Sequence, residues 1–140
     1  MTPDRMAKIH AAAFTHGRPW SAVEFGQLLS TPLTHVISDD AGFALIQVIA
    51  PEVELLTIAV HPDHMGCGHG AQILSNAIDL AQDLGATLMF LEVHRDNLAA
   101  RALYARAEFA ETGLRRAYYR NADGTTADAI VMTRSIPARD

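Results

Sequence analysis

The apolar segment Ile58-Ala59-Val60 runs through His61-Pro62-Asp63-His64-Met65 into glycines at 66, 68 and 70, and a helix opens at once over Gln72 to Leu84. Alternating glycines let backbone N–H groups crowd round an anion without Cβ atoms in the way. The helix adds its unpaired N-terminal donors and the positive end of its dipole. A strand, a glycine loop and a helix in this order make a device for holding a diphosphate, and they require an α/β chain with the loop at a sheet edge. The plainer reading is a strand-to-helix turn with no ligand.

Two kinds of loop share this spacing. The dinucleotide fingerprint G-x-G-x-x-G/A is met formally by Gly66, Gly68 and Ala71, with the acidic Glu92 following a second strand. A dinucleotide turn begins directly at the strand end, however, and here His61 to Met65 intervene with a proline among them. A chain of 140 residues also lacks room for two mononucleotide halves and a substrate domain.

The remaining pattern predicts a mixed sheet with helices. Thr2-Pro3-Asp4 reads as an N-cap, an N1 proline and an acidic first turn for a helix to about Phe14, followed by a loop over Thr15 to Pro19. Ser21 caps a second helix through Leu29, with Glu24 completing a capping box. Strands are expected at His35–Ser38, Phe43–Ile49 and Glu52–Val60, with turns at Asp39–Gly42 and Ala50-Pro51. A helix over Gly70–Leu84 ends at Gly85, and strand Thr87–Val93 and helix Asn97–Ala107 follow. Strands Phe109–Tyr119 and Ala127–Thr133, joined by the Asn121-Ala122-Asp123-Gly124 turn, close the chain. Glu52–Val60, the glycine-led helix and Thr87–Val93 form a βαβ unit, expected to be parallel and right-handed. This unit brings the glycine loop and the end of the next strand to one edge of the sheet, where ligands bind in open α/β sheets.

At 49% hydrophobic residues, 140 residues support one domain over 1–140 that buries roughly two-thirds of its unfolded surface. No apolar run is long enough to span a bilayer and the N-terminus has no signal-peptide core, so no membrane is expected. A single cysteine forms no internal disulfide, which favours a reducing cytoplasm. A net charge of −5 disfavours nucleic acid and is compatible with a basic peptide.

Several residues invite chemistry. Glu92 shares one face of its strand with Leu88 and Phe90, and a carboxylate there is either an ion pair or a working group in a cleft. Asn97 or Asp96 reads as a helix N-cap and Tyr104 as a core aromatic. His61, His64, His69 and His94 fit no standard metal spacing and no cysteine pair accompanies them, so no metal is expected. Cys67, between two glycines and without a base, reads as a spacer. Trp20 reads as a hydrophobic staple, and Arg115, Arg116, Tyr118 and Tyr119 as a solvated strand face or a groove wall.

The chain resembles the GNAT superfamily of acetyltransferases, whose loop reads Q/R-x-x-G-x-G/A after a strand ending near V-x-P. Met65-Gly66-Cys67-Gly68-His69-Gly70 occupies that loop in register. The likeness continues through LEVHRDNLAARALYARAEF (91–109), LRRAYY (114–119) and DAIVM (128–132), blocks similar to bacterial ribosomal-protein-alanine N-acetyltransferases. It implies the acyl-CoA N-acyltransferase fold, a central mixed sheet flanked by helices. The strand that usually precedes the first helix is expected to be missing. It implies acetyl-CoA as cosubstrate, held by backbone of Ile58, Ala59 and Val60 and by Gly66, Cys67, Gly68, His69, Gly70 and Ala71, with Asn97 on the pantetheine arm. Glu92 is then the general base and Tyr104 the acid that protonates the departing thiolate. The acceptor is a protein N-terminal α-amine, that of a ribosomal protein, and Trp20 and the 115–119 segment stand beside its groove. Acetylation of a small amine or a lysine, and acyl-CoA binding without catalysis, are the competing readings. Met65 stands where the family has Gln or Arg, Ala71 where it has a basic residue, and Glu108 where a glycine caps the helix. Glu108 costs about 1 kcal/mol if its φ is positive.

Overall fold

A computed structural model of the chain describes residues 1–13, 18–121 and 123–139. Helix α1 (Pro3–Ala13) begins at the proline and helix α2 (Ala22–Leu29) at the capping box, in which Ser21 Oγ accepts from the Glu24 N–H and Glu24 returns the bond to Ser21. The expected helix end at Phe14, most of the Thr15–Pro19 loop and Ala122 in the late turn lie outside the described residues. Strands β1 (Thr34–Ser38), β2 (Gly42–Ile49) and β3 (Glu52–Val60) form an antiparallel meander. One turn of 3₁₀ helix, Pro62–His64, leads to α3 (His69–Asp83), then β4 (Leu88–His94), α4 (Leu98–Arg106), β5 (Ala110–Arg120) and β6 (Thr126–Ser135). Among the described residues no strand precedes α1.

The sheet order is β1-β2-β3-β4-β6-β5, antiparallel except for the β3–β4 pair. Alternation sorts its side chains into two cores. Met6, Ile9 and Phe25 of α1 and α2 pack on Phe43, Leu45 and Ala59. On the other face, Ile73, Leu74, Ala77 and Ile78 of α3 and Tyr104 of α4 pack on Ala44, Ile46, Val53, Leu55, Met89, Leu91 and Val93. This is the mixed sheet flanked by helices that the sequence implies.

Two irregularities shape the centre of the sheet. Adjacent residues Leu45 and Ile46 face Thr57 and Leu55, so Leu56 is an extra residue and β3 carries a bulge there. The parallel ladder between β3 and β4 runs only from Glu52↔Leu88 to Glu54↔Phe90, after which the two strands part. From Leu55 to Val60 the edge of β3 that faces β4 therefore has no strand partner. On its other edge β3 lies very close to β2: a Cβ on Gly42 would sit 2.3 Å from the Ala59 carbonyl oxygen, so only glycine fits there.

Candidate active site

The cleft opened by the parting strands has a glycine cradle on one side and an acidic cavity on the other. Gly66 and Gly68 take φ of 79° and 84°, conformations that suit glycine, and a Cβ on either would meet open space. Gly68 is the N-cap of α3 and no side chain caps that helix end, so the first N–H groups of the helix are left to a ligand. His69 Nδ1 lies 2.9 Å from Asp39 Oδ2, while Asp39 Oδ1 accepts from the N–H groups of Ala41 and Gly42. The β1–β2 turn thus grips the first residue of α3. His61, His64 and His69 stack edge to face at 6.2 and 5.9 Å between ring centres. Cys67 is exposed, and among the described residues no group of three or more His, Cys, Asp or Glu side chains is arranged to hold a metal ion.

Beside Gly70 and Ala71 a groove of about 290 Å³ runs between α3 and α4, with Leu103, Arg106 and Arg134 on its far wall. Tyr104 is buried under the same helices, its ring 5.9 Å from Phe109. Burial first, and the charge of Tyr119 second, push its phenol above the ordinary range, so it holds its proton at every working pH. Asn97 caps α4, its Oδ1 accepting from the Ala100 N–H at 3.2 Å. Beyond that helix Glu108 has φ of 72°, the positive value its glycine-like place requires.

On the opposite face Glu92 opens into a cavity of about 600 Å³, with Glu54, Trp20, Tyr118 and Tyr119 on its walls. Arg115 Nη1 donates to Glu92 Oε1 at 2.6 Å and its guanidinium lies 4.1 Å from the centre of the Tyr118 ring. Arg116 is exposed and away from the cavity lining. A bulge between Arg115 and Tyr119 in β5 brings Tyr118 and Tyr119 to this face: Ala117 has φ of 54° and its N–H donates to Asp128 Oδ1. Tyr119 stacks on the His94 ring at 5.1 Å, and burial pushes its phenol up to about 12. His94 thus packs with Tyr119 and Asn121 rather than with the loop histidines.

The structure brings Glu92, Trp20, Arg115, Tyr118 and Tyr119 together, and sets the glycine loop against α4 and Ile58 to Val60. It does not put Glu92 and Tyr104 on one face. Leu91 and Val93 point to the core that contains Tyr104, and Glu92, between them, points the other way. Sequence reasoning passed over Glu54, although Val53 and Leu55 on either side already turned it away from the core. A cavity walled by carboxylates and aromatic rings suits a cation, and the cradle suits a phosphate.

The acetyltransferase (GNAT) family model matches residues 4–109 of the chain. The [ribosomal protein bS18]-alanine N-acetyltransferase of Escherichia coli strain K12 is 37% identical over 140 residues, covering 96% of this chain and 93% of its own length. N-alpha-acetyltransferase RimI of Mycobacterium tuberculosis is 34% identical, covering 93% and 84%. The crystal structure of the ribosomal-protein-S18-alanine N-acetyltransferase from Escherichia coli superposes with a TM-score of 0.83 at 33% identity, over 96% of this chain and 87% of that one.

Proposed function

The chain belongs to the acetyltransferase (GNAT) family and is an N-acetyltransferase, and from that premise we propose that it moves the acetyl group of acetyl-CoA onto the N-terminal α-amine of a protein, with a ribosomal protein as the acceptor. The observation that carries this reading is the splayed β3–β4 cleft, which joins an anion cradle to an acidic, aromatic cavity. Acetyl-CoA supplies an activated acyl group as a thioester. The glycine loop, the uncapped end of α3 and the unpartnered backbone edge of Leu55 to Val60 fit its diphosphate and arm. Arg106 in the α3–α4 groove offers a further positive charge near the cradle.

The acceptor enters the cavity from the other face. An N-terminal α-amine has an ordinary pKa of about 7.7–8.0, against about 10.4 for lysine, so a carboxylate removes its proton with far less difficulty. Glu92, marked as base by the family likeness, lines that cavity. Tyr104, marked as acid, keeps its proton until sulfur needs it. Trp20, Tyr118 and Tyr119 furnish apolar walls for the first residues of the acceptor. The test is incubation with acetyl-CoA and peptides differing only in their first residue, read by mass. A single added acetyl group on peptides beginning with alanine is expected, and an unmodified panel would leave acetylation of a small amine or acyl-CoA binding without catalysis.

A further inference from the structure

Among the described residues two histidines are buried, and each lies beneath an aromatic wall of the acceptor cavity. His94 stacks on Tyr119, and His10 stacks on Trp20 with ring centres 5.2 Å apart and planes inclined by 24°. A polar ring among apolar side chains is costly unless a partner answers it. His10 sits on α1 with 1% of its surface exposed, and its Nδ1 accepts the backbone N–H of Trp20 at 3.0 Å. Phe25 meets the same imidazole edge-on at 5.5 Å. Burial lowers His10 to about 4 against the opposing charge of Glu24, so the ring is neutral at working pH and Nδ1 keeps the lone pair that the Trp20 N–H needs.

Trp20 belongs to neither helix and stands one residue before the Ser21 cap of α2. The capping box fixes Ser21 and Glu24, and Arg18 clamps the Glu24 carboxylate through both guanidinium nitrogens, at 2.7 and 2.8 Å. Those bonds lie in solvent and fix the start of the helix. The indole is set from beneath instead. His10 holds the backbone of Trp20 by the hydrogen bond and its ring by the stack, and Trp20 then faces the cavity with Glu54, Glu92 and Tyr118. His10 itself is not on that wall.

We propose that His10 is a positioning residue for the acceptor: it seats Trp20 as a fixed wall against the first residues of the incoming chain. This rests on the acetyl-transfer reading above and concerns how the acceptor is received. A wall fixed before binding spares the complex the entropy of ordering a large side chain. The gain belongs to acceptor binding and leaves the chemical step unchanged, so it is read in KM.

The experiment measures kcat and KM for an alanine-first peptide, at saturating acetyl-CoA, in the parent, His10→Phe, Trp20→Ala and the double variant. Phenylalanine keeps an aromatic ring and removes the acceptor for the Trp20 N–H. His10→Phe is expected to raise KM by about threefold to tenfold, the range for one lost hydrogen bond, with kcat within about twofold of the parent. In the Trp20→Ala background the same substitution is expected to add nothing, because the side chain it acts through is gone. His10→Leu, which lacks ring and acceptor alike, gives the same comparison if the phenylalanine variant folds poorly. Parental KM in both His10 variants, a fall in kcat alone, or an equal rise in KM with and without the indole would overturn the assignment. Trp20 is the only tryptophan of the chain, so its fluorescence reports the seat directly. Quenching by acrylamide is expected to increase in His10→Phe while far-UV circular dichroism is unchanged, and parental quenching would overturn the seat. A parent that acetylates no peptide would overturn the reaction itself, and the quenching then decides the role of His10.

Discussion

Arg115 on β5 reaches across β6 to hold Glu92 on β4 at 2.6 Å, so one oxygen of the carboxylate marked by family likeness is fixed in the cavity. Replacing Arg115 by methionine should therefore free the Glu92 side chain from its fixed place and lower kcat. Parental kcat in a steady-state assay of acetyl transfer would mean that Glu92 is placed without help from Arg115.

Tyr104 is buried with its proton retained, on the cradle side of the sheet. Tyr104→Phe should slow turnover by about 10²–10⁴-fold, the range for an acid or base role. Calorimetric titration of coenzyme A should give an unchanged Kd. Parental turnover would return Tyr104 to the core.

His10 packs between Trp20 and Phe25, its Nδ1 accepting from the Trp20 N–H, and burial lowers it from 6.5 to about 4 despite the opposing charge of Glu24. A folded-state pKa below the unfolded one means that the unfolded chain binds the extra proton. Stability is then full above about pH 6.5 and falls as pH drops toward 4. By pH 5 the loss should reach up to about 2 kcal/mol in denaturant titrations. His10→Phe should flatten that profile, and an equally steep one would place the acid sensitivity elsewhere.

Glu108 holds φ of 72° and its carboxylate meets Arg134 only at 3.5 Å in solvent. Glu108→Gly should relieve about 1 kcal/mol of backbone strain and lose little with the exposed ion pair. A rise in Tm of roughly 3 °C is expected. An unchanged or lower Tm would mean that the glutamate sits there without strain.

That positive φ was foreshadowed by the family likeness, which has a glycine where this chain has Glu108. The glycine cradle, the βαβ unit and the two-sided sheet were all written in local spacing and alternation. Boundaries moved by a residue or two, as at β4, which begins at Leu88 and runs on to His94. The site itself was half legible. Glu92, Trp20 and the 115–119 segment were identified, but the bond between Glu92 and Arg115 depends on β6 lying between their strands, a pairing of distant segments. The bulge at Leu56, the parting of β3 from β4 and the left-handed Ala117 leave no mark in composition or period. Glu54 was hidden for the same reason: it enters the cavity because the ladder ends beside it.

The account is tested most directly by one pair of peptides of identical sequence containing an internal lysine, one with a free N-terminal alanine and the other blocked at its N-terminus. Initial rates of acetyl transfer from acetyl-CoA should be far higher on the free peptide, with the added mass on its first residue. Equal rates on the two, or acetyl on the lysine, would contradict an enzyme for N-terminal amines.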